Sequence, residues 1–199
     1  MQFDQGEKGF SFSKEGPLDM RMDPSMPLSA KEVVNRFSEE EIGKIFKEYG
    51  EEPRWRQAAK AIVHARRKSP IETTKQLAEI ISQAIGKAKK HLHPATLIFQ
   101  ALRICVNQEL ESVKSALPKA INWLASHGRM GVISFHRLED SIVKSLFKEA
   151  SRAPSKREKG NFVPPLLHLV TKKPIVASEE ERRFNPRSRS AKLRFAEKL

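Results

Sequence analysis

Apolar residues recur at helical spacing through the first half of the chain. Ala58, Ala61, Ile62 and Ala65 share one face, and Leu77, Ile80, Ile81, Ala84 and Ile85 share another in the next segment. Three capping boxes mark helix starts here: Ser29 with Glu32, Ser38 with Glu41 and Thr73 with Gln76. In each, side chain and backbone satisfy groups that a helix terminus leaves unpaired. From Pro94, a good first helical residue, Ile98, Leu102, Cys105, Val106, Leu110, Val113 and Leu117 continue one stripe for about six turns. Residues 29 to about 108 are therefore predicted to be mostly helical, preceded at 1–28 by a loop region with turn chemistry from Gly16 to Pro24.

The pattern changes after Gly128. Met130 to Phe135 is a short apolar run, predicted as a buried strand. A helix follows with Leu138, Ile142, Val143, Leu146 and Phe147, then a loop from Arg152 to Asn161. Leu166 to Val170 and Ala191 to Ala196 read as further strands, the second alternating Leu193 and Phe195 against Lys192 and Arg194. Strand, helix, strand, strand is the reading of half of an open α/β sheet, whose inner edge would be left unpaired. The expected organisation is a loop region at 1–28, a helical insertion at 29–108, and a sheet-bearing part at 109–199.

Charge adds a partner class. Lys and Arg number 37 against 24 Asp and Glu, a net +13, which suits a polyanion better than a small neutral substrate. Residues 151–199 carry 13 of these cations against 5 Glu, so the tail is the electropositive end. Cys105 is the lone cysteine, which rules out an internal disulfide and a thiolate metal cage. Neither a signal-peptide pattern nor an apolar run near the ~18 residues of a membrane span is present, so a soluble cytoplasmic protein with no membrane partner is expected.

The usual nucleotide-cradling glycine loops and the H-E-x-x-H zinc motif are absent. Pro164-Pro165 resembles part of the signature of amino-group methyltransferases, but Val163 and Leu166 flank it without a polar acceptor or a stacking ring, so it reads as the entry to a strand. His91 and His93 lack carboxylate or thiol neighbours and read as surface histidines. His136 stands at the C-terminal end of the best strand, where open α/β sheets place their ligand crevice. Arg187, Arg189, Lys192 and Arg194 lie close together with hydroxyls between them and are candidate contacts for an RNA backbone.

Four blocks in order resemble the MraW family of ribosomal small-subunit methyltransferases. They are Lys8 to Phe12 with Gly16 to Asp23; Glu48 to Glu52; His93 to Thr96 through Phe99 to Ile104, Asn107, Glu109 and Leu110; and Val132 to His136 with Leu138 to Asp140, closed by Asn185 to Arg194. The resemblance covers nearly the whole chain. It departs at Leu97, where the family usually has Arg, and at Arg137, where it usually has Ser.

The resemblance implies an α/β fold: the C-terminal half of a Rossmann-like S-adenosylmethionine methyltransferase sheet, interrupted by a mostly helical inserted domain. It implies transfer of a methyl group to the exocyclic N4 of a cytosine in 16S ribosomal RNA of the small subunit. It also implies that the glycine-rich cofactor loop lies upstream of the first block, leaving Gln2 as the one residue matching a cofactor-binding position. The sequence thus reads as the C-terminal two-thirds of a family member, with a separately encoded N-terminal fragment as a candidate partner. Phe10, Phe12, Asp19, Arg21, Phe135 and His136 become candidates for the target-base pocket. The competing expectation is a non-catalytic RNA-binding remnant of the family.

Overall fold

The computed structural model describes residues 8–86, 93–152 and 164–199, in two compact units, one ending at Glu109 and one beginning at Leu110. Gln2, His91 and Val163 lie outside the described residues.

The first unit is built on α1 (Ala30–Arg36), α2 (Glu39–Glu48), α3 (Trp55–Arg66), α4 (Thr74–Ile85) and α5 (Thr96–Asn107). The three capping boxes form as the sequence predicts, with Ser29, Ser38 and Thr73 each accepting from the N3 amide while the N3 side chain returns to the cap. Val33, Ile42, Phe46, Ile62, Leu77, Ile81, Ile98 and Leu102 are buried in one core, joined by Phe10, Leu18 and Met20 from the preceding loop. Backbone groups and the Thr74 hydroxyl fasten that loop to the start of α4. Leu18 donates to the Glu72 carbonyl at 2.9 Å, Gly16 donates to Thr74 Oγ1 at 3.2 Å, and Thr74 Oγ1 donates to the Lys14 carbonyl at 3.0 Å. Gly9 makes the fold-back sterically feasible. Its φ is +69°, and a Cβ there would stand 2.0 Å from the Pro17 carbonyl oxygen.

The long apolar stripe from Pro94 is not one helix. It starts at Thr96 and breaks after Asn107, where Gln108 takes a left-handed φ of 49°; α6 (Glu109–Trp123) continues beyond. Both segments carry the same apolar period, so the pattern conceals the interruption.

In the second unit, β1 (Arg129–Ser134), α7 (Arg137–Ala150), β2 (Leu167–Leu169), β3 (Ile175–Val176), α8 (Glu179–Phe184) and β4 (Lys192–Lys198) follow in order. β4 is central: the order is β1-β4-β2, β3 also pairs with β4, and every pairing is antiparallel. β1 and β2 therefore run parallel on either side of β4, and α7, which separates them in sequence, packs on all three. This is a mixed helix and sheet arrangement with an antiparallel sheet.

Cross-strand register sorts the faces. Met130 opposes Ala196 and Val132 opposes Arg194 on the side that packs against Leu117 and Ile121 of α6 and Val143 and Phe147 of α7. The other side presents Ile133, Leu193 and Ile175 in one row, with Ile133 58% and Ile175 51% exposed. β1 is accordingly half exposed, not the buried strand its apolar run predicts, and its second edge has no strand partner among the described residues. No described helix is long and apolar enough to cross a membrane.

Candidate functional site

In the first unit, the segment from Asp19 to Asp23 is held by its own side chains. Asp19 accepts from the Arg21 amide at 3.0 Å, from Nε at 2.8 Å and from Nη2 at 2.9 Å. Arg21 Nη1 donates onward to the Pro24 and Met26 carbonyls, both at 2.8 Å. The guanidinium hydrogen bond holds the Asp19 carboxyl below the usual carboxylate range, although partial burial opposes it. Between them Met20 is fully buried at φ 63°, a conformation costly for a side chain with a Cβ. Asn107 clamps this residue: its Nδ2 donates to the Met20 carbonyl at 2.8 Å and its Oδ1 accepts from the Met22 amide at 2.7 Å.

These contacts show what the pocket candidates of this unit touch. Phe10 is 5% exposed within the helical core, and the Asp19 and Arg21 side chains are spent on the loop itself. Phe12 stacks on His93 at a centroid distance of 4.3 Å and meets Phe99 edge-on at 5.2 Å. His93 Nδ1 also accepts from the Ala95 amide, which places this histidine at the entry to α5.

In the second unit, β1 ends at Ser134 and leaves Phe135 54% exposed at its C-terminal end. His136 caps α7, its Nδ1 accepting from the Glu139 amide at 3.4 Å, while Glu139 Oε2 accepts from the Phe135 amide at 2.8 Å. Since Nδ1 accepts, neutral His136 carries its proton on Nε2. That atom is buried without a hydrogen-bond partner among the described residues, although Glu139 Oε1 lies 3.3 Å away. Burial opposes ionisation of Glu139, yet His136 and the Phe135 amide outweigh it and hold the carboxyl below its ordinary range.

Arg194 is not part of a basic surface. Its side chain is 9% exposed and grips Asp140 of α7 through Nε at 2.7 Å and Nη2 at 3.1 Å; Lys192 reaches the same carboxylate at 3.4 Å. The alternation along β4 is therefore inverted from the usual sense: the face carrying Lys192 and Arg194 packs, and Leu193 and Phe195 lie on the other. A buried carboxylate on α7 makes this arrangement stable, because the guanidinium meets a bidentate partner. The signal was present in α7, where Asp140 shares a helix face with Val143 and Phe147. Arg187 and Arg189 stand apart, both exposed on a 3-10 turn, Pro186–Ser190, that Ser188 pins to the Asn185 carbonyl at 2.8 Å.

The sequence-predicted residues thus divide into Phe10, Phe12, Asp19 and Arg21 in one unit and Phe135, His136, Arg187, Arg189, Lys192 and Arg194 in the other. Sequence reasoning overlooked Glu139 and Asp140 as partners and the clamping role of Asn107.

A family model described as the MraW methylase family matches residues 1–199. The chain is 51% identical over 206 residues to the ribosomal RNA small subunit methyltransferase H of Protochlamydia amoebophila (strain UWE25), covering all of this chain and 65% of that protein. It is 48% identical over 200 residues to the protein of the same name from Synechocystis sp. (strain ATCC 27184 / PCC 6803 / Kazusa), covering 100% of this chain and 60% of the relative. It therefore spans somewhat under two-thirds of the length of these relatives. With its whole length matched by the family model and half its residues identical to a curated relative, the chain belongs to the MraW methylase family.

Proposed function

We propose that the protein serves S-adenosylmethionine-dependent methylation of 16S ribosomal RNA, at the exocyclic N4 of a cytosine. The observation that carries this reading is the 51% identity, across the entire chain, to a protein named for methylation of small-subunit ribosomal RNA.

Of the carboxylates beside the sequence-based candidates, Asp19 is held by Arg21, Asp140 by Arg194, and Glu139 accepts from the Phe135 amide, so these three are committed within the fold and are not proposed to grip the ribose of S-adenosylmethionine. Gln2, the residue carried over from the family, is outside the described residues. For the target base, residues of the second unit support the reading. Phe135 is an exposed ring at the C-terminal end of β1, where an extruded cytosine can stack, and Arg187 and Arg189 are exposed cations suited to flanking phosphates.

Deleting the gene and measuring nucleosides of purified 16S ribosomal RNA by mass spectrometry tests the proposal. N4-methylated cytidine should disappear and return with the intact gene; its persistence after deletion overturns the reading. Complementation with Phe135→Ala should restore methylation about tenfold less efficiently, since removing one stacking ring costs ~1–3 kcal/mol.

A further inference from the structure

α3 carries a charge pattern that the fold does not use. Arg56 and Lys60 recur at four-residue spacing along its exposed side, the exposed His64 continues the row, and the exposed Arg67 and Lys68 follow directly after the helix. The opposite side, through Ala58, Ala59 and Ile62, is buried in the helical core. From Arg56 to Arg67 the stripe runs ~16 Å along the axis. α3 has no acidic residue along its length, and among the described residues Lys60, His64, Arg67 and Lys68 make no ion pair. The guanidinium of Arg56 lies 4.1 Å from the centre of the Trp55 ring, which fixes that end of the row.

Like charges at i, i+4 disfavour a helix unless something offsets them. A straight row of cations with no internal counter-charge complements one ligand chemistry, a linear array of phosphodiesters. A lipid surface fits less well, because a helix lying in a membrane interface inserts its apolar face, and here that face is occupied by the protein core.

We infer that the exposed face of α3, from Arg56 to Lys68, binds the phosphate backbone of RNA. This rests on the ribosomal RNA reading above and adds a contact surface in the helical unit, made of residues other than Phe135, Arg187 and Arg189.

Fluorescence anisotropy of the full chain with a labelled oligouridylate and with a labelled RNA hairpin, across about 50–200 mM salt, tests it. The variant Lys60→Gln/Arg67→Gln/Lys68→Gln removes exposed charge without touching the core. Its slope of log affinity against log salt should be shallower by about 2 to 3, roughly one unit for each phosphate no longer neutralised. The probe that shows the larger change identifies single-stranded or duplex RNA as the natural form. Lys60→Arg/Arg67→Lys/Lys68→Arg should keep the slope, and a control that removes equal charge from the second unit, Lys119→Gln/Lys144→Gln/Lys148→Gln, should change it much less. RNA binding by the stripe variant with the original slope overturns the assignment of α3 while leaving the RNA reading intact. An equal effect of the control overturns it too, since the attraction is then diffuse, as does loss of binding to phosphatidylserine vesicles with RNA affinity unchanged. Failure of the unaltered chain to bind either RNA removes both the assignment and the RNA reading.

Discussion

Asp140 and Arg194 place opposite charges on a packed face, so each is an asset only while the other is present. Asp140→Asn should destabilise the second unit by about 3 kcal/mol, measured by urea denaturation, because Arg194 is left buried without its counter-ion. The Arg194 hydrogen bonds hold the folded carboxyl below its ordinary range against the opposing effect of burial. Its contribution is accordingly complete above the unfolded carboxylate value of about 3.9 and is lost as pH falls through the lower folded value. The stability difference between wild type and Asp140→Asn should be constant above about pH 5 and shrink on further acidification. In the first unit, Asn107→Ala should cost about 2 kcal/mol, because the Met20 carbonyl and Met22 amide lose their side-chain partner around a residue already in a strained conformation. A matching drop of midpoint in thermal melts would check it.

At the scale of elements, helix starts are largely decided by local chemistry. Ser38→Ala should cost about 1 kcal/mol and leave the helix register intact, as read by circular dichroism and denaturation. For the same reason the capping boxes at Ser29, Ser38 and Thr73 were legible in the sequence: each is complete within four residues. The break between α5 and α6 was not, since Gln108 is neither glycine nor asparagine and nothing nearby announces a left-handed turn. β3, two residues long, is defined by its pairing with Lys192 and Leu193 rather than by its own pattern. The facing of β4 was not legible in its alternation for a physical reason. Alternation tells which residues share a side, but which side packs depends on the partner, and here the partner contributes an acid. Of the site residues, Phe135, placed by its apolar run in a buried strand, is exposed, as are Arg187 and Arg189, whereas the burial of Phe10 and the bonds of Asp19, Arg21 and Arg194 depend on neighbours that spacing alone could not reveal.

On the scale of the whole molecule, the excess of cations is spread over more than the tail. α3 contributes a row of its own, and the tail contributes fewer free charges than its composition suggests once Arg194 and Lys192 are assigned to Asp140. The sheet of the second unit, by contrast, presents isoleucines to solvent beside a strand whose outer amides and carbonyls have no strand to meet among the described residues. An outer strand of that kind recruits identical strands from neighbouring molecules. Concentrated samples should therefore scatter light increasingly over time, and Ile133→Lys should suppress the turbidity while leaving the melting temperature within about 2 °C, since position 133 lies on the unpacked side. Storage of the protein should then be limited by pairing at β1, and that single substitution should lengthen it.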